Sequence, residues 1–234
     1  MAGESKAAAR RIRVWDLPTR ACHWALAASC IAAFATGLVG GRVMELHAKA
    51  GLAVVGLVVF RVVWGFAGST YARFAAFVRG PAAVRAYLRG QWRGVGHNPL
   101  GAFSVLGLLA LAAFQVGCGL FGNDDISFTG PLYSLVSKET SDLLTGLHCR
   151  SAWLLLSLVV LHLAAIVYYV RIKGDNLVLP MLTGWKETPD GESAKGGGVV
   201  AFIAAVVIAL AAVAAASGQL LPAPPPPRAE TPAW

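Results

Sequence analysis

The sequence predicts an all-α integral membrane protein: a four-helix transmembrane bundle followed by a fifth, C-terminal transmembrane helix. Two observations carry that prediction. Of the 234 residues, 56% are hydrophobic and only 14% charged, against roughly 25% charged in soluble domains. The apolar residues gather in five runs, at about 17–39, 46–65, 99–121, 147–170 and 199–217. Each is close to the roughly 20 residues that a helix needs to cross a hydrocarbon core of about 30 Å. Together these features exclude a water-soluble enzyme.

The first run opens with Asp16 ahead of Pro18, and the third with Asn98 ahead of Pro99. Asn and Asp cap helix starts, and proline supplies a preset φ in the first turn. Arg10, Arg11 and Arg13 give the first run the look of a secretory leader. It reads through to Gly40 and Gly41, holds a histidine near its start and is followed at once by another span, so it is read as a retained helix. Between runs two and three, Val84, Leu88 and Trp92 recur every four residues, as do Arg85, Arg89 and Arg93. That is the pattern of a short basic amphipathic helix on the inner membrane surface, with lipid contact or docking of a cytoplasmic partner as its uses. The organisation is a segment 1–16, the bundle 17–185, a linker 186–198, the added helix 199–217 and a proline-rich tail 218–234.

The formal net charge is +8, and its distribution explains it without nucleic acid. Lys6, Arg10, Arg11, Arg13 and Arg20 flank the start of the first run, and Arg73, Arg79, Arg85, Arg89 and Arg93 lie between runs two and three. The loop between runs three and four offers Lys138 against Asp124, Asp125, Glu139 and Asp142. The positive-inside rule then makes the N-terminus cytoplasmic and, after five crossings, puts the tail outside. The four cysteines, Cys22, Cys30, Cys118 and Cys149, show no C-x-x-C or C-x-x-C-H spacing, so neither a zinc ribbon nor covalent haem attachment is indicated. Cys22 and Cys30 read as packing residues, while a Cys118–Cys149 disulfide near the outer end stays open.

Four of the five histidines fall within the apolar runs, where ionisable groups are costly and point to function. His148 and His162 are 14 residues apart on the fourth run. At 1.5 Å and roughly 100° per residue they lie about 21 Å apart along one face, and so belong to two sites. His23 enters from the inner side to the depth of His162, and His47 starts the second helix at the depth of His148. Two imidazoles from facing helices suit an iron porphyrin, and without thioether attachment the natural choice is two b-type haems. Arg61 lies 14 residues after His47, and Arg20 one turn before His23; both are placed for inner propionates. Gly37, 14 residues after His23, and Gly51, one turn after His47, leave room for a porphyrin at the outer depth. A histidine bonded to an interhelical carbonyl is the structural alternative for any one of the four. A proton relay or metal transporter would add acidic residues within the spans, and these runs hold essentially none besides Glu45 at an end.

The chain resembles the bacterial cytochrome b561 family, which includes the b-type cytochrome subunits of nickel-iron hydrogenases. The stretches that carry the resemblance are VWDLPTRACHW at 14–24, LHAKAG at 46–51, RVVWG at 61–65, GHNPLG at 96–101, GLFGNDD at 119–125, LTGLH at 144–148 and LHLAA at 161–165. The resemblance covers about 10–185 and implies a four-helix haem-binding core with His23, His47, His148 and His162 as axial ligands. It also implies electron transfer across the membrane between quinone and a redox partner, such as a c-type cytochrome or a hydrogenase or dehydrogenase subunit. The fifth helix lies outside the shared pattern, leaving partner attachment and lipid-facing structure as its two readings.

Bis-histidine iron has no open position, so the expected work is electron transfer. An electron-transfer subunit is the first reading, and a self-contained quinone-linked oxidoreductase acting at a haem edge is the alternative. His97, just ahead of the third helix, is a candidate for quinone or proton handling, and Asp124 and Asp125 for proton uptake or attraction of a basic partner. Gln115, in an otherwise apolar helix, is expected to bond near the outer haem.

Overall fold

A computed structural model describes residues 10–92, 94–189 and 191–222. Lys6, Arg93 and the tail from residue 223 on, which entered the charge and tail readings above, lie outside them. The chain runs β1 (Arg10–Arg13), α1 (Leu17–Val39), α2 (Met44–Ala67), α3 (Phe74–Phe77), α4 (Pro81–Leu88), α5 (Pro99–Gly119), α6 (Lys138–Arg171), α7 (Val178–Thr183), β2 (Trp185–Thr188) and α8 (Val199–Ala216). Among the described residues five helices are long and apolar enough to cross a membrane, namely α1, α2, α5, α6 and α8. The chain is an all-α, multi-pass membrane protein.

Side-chain caps set the starts of three spans. Asp16 accepts from Thr19 N at 2.7 Å at the head of α1, Asn98 from Gly101 N at 2.8 Å at the head of α5, and Ser137 from Thr140 N at 3.3 Å at the head of α6. α6 therefore begins well before its apolar run, because a capped polar turn carrying Lys138, Glu139 and Asp142 continues the helix out of the apolar layer. α4 is shorter than the repeat of Val84, Leu88 and Trp92 suggests. Gly90 takes a φ of 73° just after it, a left-handed geometry that ends helices.

The bundle is built from two helical hairpins, α1–α2 and α5–α6, joined where α2 packs on α5. α8 packs on α2 through small residues. Ala205 and Ala209 are buried against Phe60 and Trp64, and a Cβ at Gly56 would stand 2.8 Å from the Val213 side chain. Close approach over small residues is how helices associate where lipid is as apolar as leucine.

At the end of the bundle where α1 begins, a small ribbon departs from the purely helical expectation. β1 pairs antiparallel with β2, from Arg10 opposite Thr188 to Arg13 opposite Trp185. The ribbon forms because Ile12, Val14 and Trp15 bury their side chains against Tyr71, Val95 and Met181, leaving the neighbouring arginines outside. Trp64, fully buried, locks this end by donating its indole N–H to Asp16 Oδ2 at 3.0 Å. Burial pushes the Asp16 carboxyl upward, but the hydrogen bonds it accepts, those from Thr19 N and the Trp64 indole among them, outweigh it and hold the group below the usual aspartate value.

Candidate functional site

The two hairpins place imidazoles at both ends of the bundle. Away from the ribbon, His47 on α2 meets His148 on α6, with ring centroids 5.8 Å apart and planes at 84°. Each ring is fixed by a backbone carbonyl of the neighbouring helix in its own hairpin. His47 Nδ1 is 2.8 Å from Ala33 O, and His148 Nδ1 is 2.9 Å from Gln115 O. A carbonyl can only accept, so both Nδ1 atoms carry the proton and both Nε2 lone pairs are left for a ligand, the tautomer that metal-binding histidines adopt. Gln115 does more. Its side-chain amide donates to His148 O at 3.0 Å and its Oε1 accepts from Ser151 Oγ, so α5 grips α6 at the height of the ring.

Two glycines make room for these rings. A Cβ at Gly37 would lie 3.0 Å from His47 Cε1, and one at Gly119 would lie 2.8 Å from His148 Cε1. The space at Gly37 is thus taken by the imidazole itself, whereas nothing stands within 4 Å of a Cβ at Gly51. Gly119 was not singled out from the sequence. Its signal is the Gln115-x-x-x-Gly119 spacing, which puts both residues on the helix face that meets His148.

At the ribbon end, His23 on α1 and His162 on α6 lie within electrostatic reach of each other. Ser104 Oγ stands 3.5 Å from His162 Nδ1, at the limit of a hydrogen bond, and Trp24 sets its indole edge-on to His23 at 5.0 Å. Here, unlike the other end, buried polar atoms stand without partners among the described residues. They include His23 Nδ1, Arg20 Nε, Arg61 Nη1 and His97 Nδ1. Arg20 Nη1 does donate to Leu182 O, in α7, and the Arg61 guanidinium lies over the Phe74 ring at 5.2 Å. Unpaired buried donors cost about 1–3 kcal/mol each. Their gathering at one end suits an acceptor-rich group.

His97 belongs to this end. Its ring is held between Trp15 and Phe77, each with centroids 4.6 Å away. Burial pushes its pKa down to about 3, and Arg61, His162 and His23 push in the same direction. The surrounding Gly96-His97-Asn98-Pro99 stretch explains its position. Gly96 turns with φ 85°, Asn98 caps α5 and donates to Tyr169 OH at 2.9 Å, and Pro99 starts the helix.

Asp124 and Asp125 are engaged within their own loop. Asp124 Oδ1 accepts from the backbone of Ile126, Ser127 and Phe128 at 3.0, 2.9 and 2.8 Å. The bonds from Phe128, Ile126 and Ser127 hold its carboxyl below the usual range. Asp125 pairs with Lys138 at 2.5 Å, and Lys138 also holds Asp142. Cys118 is buried, Cys149 is exposed and both are free thiols, so the disulfide left open by the sequence is not formed.

Among the described residues no three His, Cys, Asp or Glu side chains converge as a cage for a bare ion. The imidazoles work in pairs, and with their clearance glycines and flanking guanidinium groups they fit a porphyrin iron. Searches of curated proteins and of solved structures return no match. A family model for prokaryotic cytochrome b561 matches residues 14–184. That span takes in all four paired histidines, both arginines and His97, and it ends before α8. The chain therefore belongs to the prokaryotic cytochrome b561 family and is a membrane-bound b-type cytochrome of electron transfer.

Proposed function

We propose that this protein is a dihaem b-type cytochrome that carries electrons across the cytoplasmic membrane between a redox partner protein and the quinone pool. The observation that carries the reading is the His47–His148 pair, two rings 5.8 Å apart with both Nδ1 atoms turned onto backbone carbonyls. His47 and His148 would hold the outer haem, and His23 and His162 the inner one. Arg20 and Arg61, each with an unpaired guanidinium nitrogen, would face the inner propionates, and the open space at Gly51 would admit the outer porphyrin. A haem held by two imidazoles supplies one-electron chemistry at an iron with no open coordination position.

The chain's own residues orient the imidazoles, exclude water and set the local charge. Ala33 and Gln115 carbonyls fix two rings and raise their basicity. Trp64, Asp16 and the ribbon close the end that holds Arg20 and Arg61. The excess of Lys and Arg around the α1 start supports a cytoplasmic N-terminus and contact with anionic lipid headgroups. Asp124 and Asp125 then lie on the periplasmic side, where Asp124 shapes the loop and the acidic surface suits a basic partner such as a c-type cytochrome.

A pyridine haemochrome assay on the purified chain tests the reading and is expected to return two b haems per chain. His162→Ala should remove the haem at the α1 start, and His148→Ala the other. A folded, haem-free protein, or loss of the same haem in both variants, overturns it. Reduction of the purified cytochrome by quinol in vesicles tests the quinone assignment.

A further inference from the structure

His97 belongs to neither imidazole pair, yet it is held more firmly than an idle side chain needs to be. Trp15 and Phe77 clamp its ring from two sides, at 4.6 Å each. Its Nδ1 is buried without a partner among the described residues, as are Arg61 Nη1 and Arg20 Nε. Phe77 in turn packs on Phe74, the ring over which Arg61 lies, and the Arg20 guanidinium and Trp15 both border Gly184, which brings the three groups to one end of the bundle. Asp16, the carboxylate within electrostatic reach of Arg61, is already committed to Thr19 N and the Trp64 indole.

We propose that His97 joins Arg20 and Arg61 in one anion-binding cradle that takes the propionate carboxylates of the haem at this end, His97 donating Nδ1–H to a carboxylate oxygen. The choice of ligand follows from the donor set. Two guanidinium groups and an imidazole N–H present donors and no acceptor, and guanidinium forks match carboxylate oxygens. A quinone offers two neutral carbonyls at opposite ends of a ring and leaves most of these donors unpaired. His97 is accordingly a positioning residue: it fixes the carboxylate that its clamped ring faces and withdraws negative charge from the haem edge. The inference rests on the assignment of His23 and His162 as axial ligands.

The test compares His97→Phe, His97→Asn and Arg61→Gln with the wild-type holoprotein. It reads haem content, the propionate bending bands in resonance Raman spectra, the midpoint potential of the haem that His162→Ala removes, and KM for quinol. His97→Phe is expected to shift the propionate bands and lower that midpoint, Arg61→Gln to shift it in the same direction, and His97→Asn, which keeps an N–H, to fall between. If His97→Phe does not fold, the His97→Asn and Arg61→Gln comparison decides. Unchanged bands and midpoint in a His97 variant with full haem overturn the proposal, and so does an effect confined to KM for quinol. Failure of the underlying axial assignment looks different, because His23→Ala and His162→Ala would then leave the wild-type haem spectrum intact.

Discussion

Replacing Gly119 with alanine adds one methyl group at the tightest point of the His148 pocket. The new Cβ would stand 2.8 Å from His148 Cε1 and 2.9 Å from its Nδ1. Carbon atoms pack comfortably at about 3.5–4.0 Å, so the ring has to retreat by about 0.7 Å or more. That ring is tied to Gln115 O at 2.9 Å, and a retreat of this size carries the bond past the range in which it holds. Loss of the hydrogen bond costs about 1 kcal/mol and overpacking about 1–3 kcal/mol. The better helix propensity of alanine returns up to about 1 kcal/mol, leaving a net destabilisation of about 1–4 kcal/mol. The ring would also lose the carbonyl that fixes its tautomer, a change worth about 10–100-fold in metal-centre affinity. Haem content by pyridine haemochrome and thermal unfolding in detergent read the two effects separately. A Gly119→Ala protein with full haem, an unshifted spectrum and an unchanged Tm would refute the argument that this glycine exists for the imidazole.

Gly51→Ala separates protein packing from cofactor packing. Nothing stands within 4 Å of its Cβ, so the haem-free protein should gain about 0.5–1 kcal/mol from helix propensity while the His47–His148 end loses haem, read by melting and by haem content. Asp16→Ala strips the cap from α1 and orphans the Trp64 indole, and should cost about 2–4 kcal/mol at pH 7. The folded Asp16 carboxyl lies below its ordinary value, so its contribution is present above the unfolded pKa of about 3.9 and fades as pH falls through the folded one. Melts of wild type and variant should therefore converge on acidification below pH 4. Ala205→Leu overfills the fully buried contact of α8 with Phe60 and Trp64; a loss of about 1–3 kcal/mol in the melt is expected, with both haems retained.

Run length and composition are properties of each helix alone, which is why the five spans could be read from the chain. The caps at Asp16 and Asn98 were legible for the same reason, being local in sequence. Depth along a span is also local, through the rise per residue, and the expected match of His47 with His148 rests on it; their ring centroids stand 5.8 Å apart. What could not be read were contacts set by packing between distant segments. The indole of Trp64 reaching Asp16, the clamp of Trp15 and Phe77 on His97, and the clearance of Gly119 for His148 each join residues that no period connects. The ribbon was missed because alternation over four residues is too short to stand out beside an arginine-rich segment. Ser137 was missed as a helix start because the apolar run, the signal used, begins almost three turns later.

The division into two hairpins makes the site a coincidence detector for assembly. α1–α2 carries His23 and His47, while α5–α6 carries His148 and His162. In the proposed assignment each pair draws one imidazole from each hairpin, so neither half would complete a site alone, however well it is inserted. Within a hairpin the rings are already aimed: His47 is stitched to α1 and His148 to α5. Only the meeting of the halves along α2 and α5 brings the aimed rings together. On the proposed axial assignment the chain would expose two half-built sites during synthesis until α6 is in place, and haem content would then read directly whether the two halves have found each other.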